Sequence, residues 1–84
     1  MITKIPAPAI MQSRISIRCN ANAIESHLKR IIQYSKIDAL TYRLESLSLY
    51  PGGSWQATLS TTEGQIICVQ YTYETDTFII DTGE

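Results

Sequence analysis

The sequence predicts an α+β domain: a single antiparallel sheet of about four to five strands, in the order β-α-β-β-β-β, with one amphipathic helix packed on one face. Three observations carry this expectation. Apolar residues alternate with polar ones in several short runs, and Pro, Gly and Asp clusters separate those runs. A single segment shows helical spacing together with a helix-start signal. At 84 residues the chain has room for one hydrophobic core and not for two.

Residues 13–19 alternate, with Ile15, Ile17 and Cys19 on one side and Arg14, Ser16 and Arg18 on the other. Period two with β-branched apolar positions reads as a half-buried strand. A helix is expected over residues 22–35. Asn22 is the candidate N-cap, and Glu25 three residues later completes a capping-box pattern. Ile24, Leu28, Ile31 and Ile32 then recur at helical spacing and form one apolar stripe.

Residues 37–50 fit two templates. Ile37, Leu40, Leu44 and Leu47 match a helix. Leu40, Tyr42 and Leu44, then Leu47 and Leu49, match two strand runs whose phase slips near Glu45 and Ser46. A β-bulge inserts one residue and produces that slip. The strand is favoured, because Pro51-Gly52-Gly53 supplies a turn directly before the next alternating run.

The remainder reads as a meander. Trp55, Ala57 and Leu59 alternate with Gln56, Thr58 and Ser60, and Thr62-Glu63-Gly64 turns the chain. Ile67, Val69, Tyr71 and Tyr73 then share one side of a long run, Glu74-Thr75-Asp76 is a second turn, and residues 78–80 make a short last strand. An antiparallel sheet has one face to cover and one helix has a single stripe to bury, so the helix belongs across the sheet. Residues 1–12, with Pro6 and Pro8, are expected as a flexible N-terminal arm to a single domain over residues 13–84.

Composition narrows the function classes. Apolar residues make up 44% of the chain and include many Ile and Leu, which excludes a disordered chain. No apolar run approaches the roughly 20 residues of a membrane span, and the first ten residues lack the apolar stretch of a secretory signal. A cytoplasmic protein with no membrane association is the expectation. Cys19 and Cys68 form no C-x-x-C pair, and His27 is the sole histidine, so no zinc set is legible. Strand parity places Cys19 under the helix and Cys68 on the opposite face, which excludes a disulfide between them.

No residue pattern announces catalysis. His27 flanks the helical stripe with no nucleophile spaced to meet it, the acidic residues stand singly at turns, and no glycine pattern makes a phosphate loop. No cofactor and no metal are expected, and the chain reads as a non-enzyme. Charge is divided unevenly. All seven bases lie in residues 1–43 with only Glu25 and Asp38, whereas the remainder carries six acids and no base, giving +5 and −6 around a net −1.

The function read from these features is a small non-catalytic protein-binding or regulatory module, with self-association as one form of it. The candidate binding residues are Arg14, Arg18, Lys29, Arg30, Ile66 and Cys68. The basic four suit a partner with an acidic surface, and Ile66 with Cys68 supplies an apolar centre on the sheet face the helix does not cover. The alternative from another class is a single-stranded nucleic-acid binder using Arg14, Arg18 and the tyrosines Tyr42, Tyr50, Tyr71 and Tyr73 as stacking platforms. A pI near 5.7 and the absence of an RNP-like pattern weigh against it.

Overall fold

A computed structural model describes residues 2–11, 20–35 and 41–83. It shows one helix and a five-stranded, wholly antiparallel sheet. The strands are β1 (Ile2–Pro6), β2 (Tyr42–Leu49), β3 (Trp55–Thr61), β4 (Ile66–Thr72) and β5 (Thr77–Asp81), and the helix is α1 (Ala21–Tyr34). In space the order is β1-β5-β4-β3-β2, so β2 to β5 form a meander and β1 closes its far edge. The α+β class and the order β-α-β-β-β-β are those expected from the sequence.

The first strand differs from the expected one. Ile2–Pro6, read as part of a loose arm, pairs antiparallel with β5 from Ile2 opposite Asp81 to Pro6 opposite Thr77. Pro6 lacks an N–H, which is tolerated at the end of an edge strand. Ile5 is buried opposite Phe78, and the Ala7 amide donates to the Asp76 carbonyl at 2.9 Å. A short 3₁₀ turn at Ala7–Ala9 follows. The strand expected over residues 13–19 lies outside the described residues.

Helix α1 begins two residues earlier than its sequence signal. Asn20, in an extended conformation, is the N-cap, and its side-chain oxygen accepts from the Ala23 amide at 2.9 Å. Ala21 and Ala23 are strong helix formers, so the first turn includes Asn22 instead of starting after it. Glu25 then falls too far into the helix to reach back to the cap. The stripe is as expected: Ile24, Leu28, Ile31 and Ile32 are buried, and Ser35 caps the C-terminus.

The stretch over residues 37–50 contains strand β2 from Tyr42 to Leu49. Its pairing with β3 shifts by one residue between Leu44 and Ser46, which is the bulge the phase slip predicted. Leu44 therefore faces Leu59, and Leu47 faces Ala57, both on the helix side of the sheet. The core gathers Ile24, Leu28 and Ile31 from the helix with Trp55, Leu59, Ile67, Val69, Tyr71, Phe78 and Ile80 from the sheet.

At the centre of that core Trp55 stacks on Tyr71 with ring centroids 5.9 Å apart, and Phe78 lies 5.2 Å from Tyr71. The Tyr71 hydroxyl leaves the core to donate to Asp76 Oδ1 at 2.6 Å. Asp76 closes the β4–β5 turn with φ of +50°, a left-handed conformation that Asp adopts more readily than most residues.

Candidate functional site

The face of the sheet turned away from α1 is built by strand parity. On β3, Ala57 and Leu59 point into the core, so Gln56, Thr58 and Ser60 point out. Their cross-strand partners follow: Gln70, Cys68 and Ile66 on β4, and Ser48, Ser46 and Arg43 on β2. On β5, Ile79 and Asp81 stand beside Gln70 and Cys68, and β1 completes the face with Ile2 and Lys4. The centre carries hydroxyl, amide, thiol and isoleucine side chains. The charges stand at its two sides, with Lys4 and Asp81 toward one edge and Arg43 and Glu45 at the other.

These polar side chains bond to one another. Gln56 Nε2 donates to Cys68 Sγ at 3.3 Å, and the Tyr50 hydroxyl donates to Gln56 Oε1 at 3.3 Å. At the bulge, Ser60 Oγ donates to Glu45 Oε1 at 2.5 Å and Arg43 Nε donates to the same oxygen at 3.1 Å. The Ser60 hydroxyl, and after it Arg43, lowers the pKa of the Glu45 carboxyl. Glu45 is thus a weak base, and its contact with Ser60 does not make an activated nucleophile.

The structure separates the candidate residues. Ile66 is 54% exposed on the open sheet face, and Cys68 lies beside it on β4 as a half-buried free thiol. Both occupy the side that parity predicted. Lys29 and Arg30 are exposed on the solvent side of α1, which is the opposite side of the domain. They do not join Ile66 and Cys68 in one patch. Arg14, Arg18 and Cys19 lie outside the described residues.

The tyrosines proposed for stacking are placed elsewhere. Tyr71 is wholly buried in the core, and Tyr42 and Tyr73 pack half-buried against that core on the helix side. Burial, and then the nearby Glu25 charge, raises the Tyr42 pKa above its ordinary value. Tyr50 alone of the four reaches the open face, through Gln56. Sequence reasoning also missed the contribution of Ile2 and Lys4, because two prolines masked the strand that carries them. Arg43, Ser46 and Ser48 were legible only through the bulge.

A shallow hollow of about 280 Å³ lies at the end of the β2–β3 ladder, lined by Thr41, Tyr42, Arg43, Ser60, Thr61 and Thr62. Its one cation, Arg43, is matched by Glu45. Among the described residues no group of three His, Cys, Asp or Glu could hold a metal ion, and no helix is long and apolar enough to cross a membrane. No known protein family, curated protein or solved structure matches this chain.

His27 sits half-buried on the flank of α1. Burial first, and then the Arg30 charge, lowers its pKa below the ordinary 6.5. The unfolded chain therefore takes up a proton at a higher pH than the native domain does. The His27 contribution to stability is complete above 6.5 and is lost as pH falls from there toward the folded pKa. Thermal melts between about pH 7.5 and 5 should show this decline, and His27→Gln should flatten it. A slope untouched by the substitution would assign the decline to other groups.

Proposed function

We propose that this domain is a non-catalytic protein-binding module, with regulation by association as its role, acting through the open face of its sheet. The observation that carries the reading is the distribution of chemistry on that face. The open-face residues of its inner strands β3 and β4 are uncharged and include the exposed Ile66, and its charges stand on the flanking strands. That is the anatomy of a protein interface, in which charge is depleted at the core and polar groups form the rim. An exposed sheet face of this kind suits another folded surface better than a small molecule, which favours concave sites.

Immobilised wild-type domain and its Ile66→Glu variant, compared by quantitative mass spectrometry of captured proteins, test the reading. Ile66→Glu should reduce capture of a specific partner at least tenfold, because it buries a charge in the uncharged part of the contact, a loss of about 1.4 kcal/mol or more. Lys29→Glu with Arg30→Glu should leave that capture in place. Loss of capture from the helix variant alone would move the binding surface to α1 and overturn the reading.

A further inference from the structure

We propose that the outer edge of β2 takes up an extended segment of a partner protein as an added strand of the sheet, a segment of low charge with apolar residues at alternate positions. The proposal goes beyond the reading of the open face. It concerns backbone pairing at the margin of the sheet, and it stands or falls without that face.

The first argument is backbone accounting. The Thr61 amide donates to the Gln65 carbonyl at 3.0 Å, so Thr61 turns its backbone groups toward the β4 side. Those groups alternate in direction along an antiparallel strand, so Ser60, Thr58 and Gln56 turn theirs toward β2. Their partners there are Arg43, Ser46 and Ser48. The Tyr50 amide keeps the same phase by donating to the Ser54 carbonyl at 2.9 Å. Leu44, Leu47 and Leu49 therefore aim their N–H and C=O groups away from the sheet. Among the described residues none pairs with them.

The second argument is the contrast between the two edges. Strand β1 has five residues and carries Lys4 and Pro6, a charge and a missing donor of the kind that keeps an edge from pairing. Strand β2 has eight residues and neither lysine nor proline. Its two charges, Arg43 and Glu45, bond to each other at 3.1 Å, and they stand at the bulge or before it. The bulge disrupts pairing at that point, so the stretch open to a new strand is residues 46–50. That stretch is uncharged, and an uncharged segment matches it.

The third argument is the side chains. Leu44, Leu47 and Leu49 lie opposite Leu59, Ala57 and Trp55, and so share the helix side. The three β3 residues are buried, whereas Leu44 and Leu47 are half-buried and Leu49 is 57% exposed. The layer over that side stops short of β2. A strand laid beside β2 would extend the cover with its own apolar residues and set its polar ones beside Ser46 and Ser48. Main-chain bonds would supply the affinity and the leucine row the specificity.

Amide hydrogen exchange of the full chain, read residue by residue by NMR, tests the proposal. The probes are capped synthetic peptides of about seven residues in which Val or Leu alternates with Ser or Thr. In the dilute free chain the Leu47 and Leu49 amides should exchange at least tenfold faster than those of Ser46 and Ser48. Saturating peptide should slow Leu47 and Leu49 at least tenfold. Leu49→Pro removes an outward donor and leaves the β3 ladder intact, so it should weaken peptide binding at least tenfold in a variant that circular dichroism shows to be folded. A second readout leaves the protein unchanged. Two peptide series, N-methylated at odd or at even amides, should differ in affinity at least tenfold, because an added strand pairs through one set alone. Leu47 and Leu49 amides already slow in the dilute free chain overturn the proposal, as do amides that no peptide slows or two series of equal affinity. Slowing that follows protein concentration without peptide would make a second copy the occupant, and it also overturns the proposal. If no peptide slows these amides while Ile66→Glu still abolishes capture of a partner, the edge fails and the open face stands. If peptide slows them while Ile66→Glu leaves capture unchanged, the open face fails and the edge stands.

Discussion

Trp55→Ala should remove about 3–5 kcal/mol of folding stability, the usual range for deleting a large aromatic side chain from a packed core. For a domain of this size that is a large share of a total of order 4–13 kcal/mol. Trp55 is fully buried, stacks on Tyr71 and lies 6.2 Å from Phe78, so alanine would leave a cavity beside both rings. Trp55→Phe should cost much less. The indole Nε1 is buried and finds no hydrogen-bond acceptor among the described residues, so phenylalanine removes an unsatisfied donor worth about 1–3 kcal/mol against folding while keeping most of the ring packing. Urea unfolding of the two variants measures the difference, and equal losses would mean that the indole nitrogen is satisfied in solution.

Asp76→Ala should cost about 2.5–5 kcal/mol, from two sources. The Asp76 carboxylate accepts from the Tyr71 hydroxyl, a charged hydrogen bond worth about 1.5–3 kcal/mol. At φ of +50° alanine also adopts the left-handed backbone at a cost of about 1–2 kcal/mol, which Asp and Asn offset through local hydrogen bonding. The damage should reach β1, because the Asp76 carbonyl holds the Ala7 amide just beyond the end of that strand. Asp76→Asn keeps the backbone preference and an acceptor, and it should lose no more than about 1 kcal/mol. Hydrogen exchange should show β1 amides opening first in the alanine variant. Uniform exchange across the sheet would contradict this linkage.

How far the sequence revealed this molecule depended on how many residues repeated each signal. The helical stripe of Ile24, Leu28, Ile31 and Ile32 and the alternation through Trp55, Ala57 and Leu59 each repeat several times, and both elements stand where expected. The bulge was legible because a single residue, Glu45, separates two alternating runs of opposite phase. Signals carried by one residue failed. Asn22 and Asn20 are both plausible caps, and the propensity of the alanines between and after them decides for Asn20. Pro6 and Pro8 read as marks of a loose arm, yet the first ends an edge strand and the second opens a 3₁₀ turn.

The candidate site was legible by parity and not by composition. Parity placed Cys68 and Ile66 away from the helix and correctly joined them to Gln56, Thr58 and Ser60. Counting bases grouped Lys29 and Arg30 with them, although charge counting carries no information about which side of a sheet a residue occupies. Tyr71 illustrates the same limit. Its parity with Ile67 and Val69 assigns it to the core, where a ring with a hydroxyl handle is stable once that hydroxyl finds Asp76.

The most direct test of the docking face is the rate at which Cys68 is alkylated in the folded domain, followed by peptide mass spectrometry. Cys68 stands on the central strand at the middle of that face. A covered face predicts that its labelling slows at least tenfold as a captured partner is added, while Ile66→Glu keeps it fast with that partner present. Labelling of Cys68 at one constant rate, with and without the partner, would contradict the account.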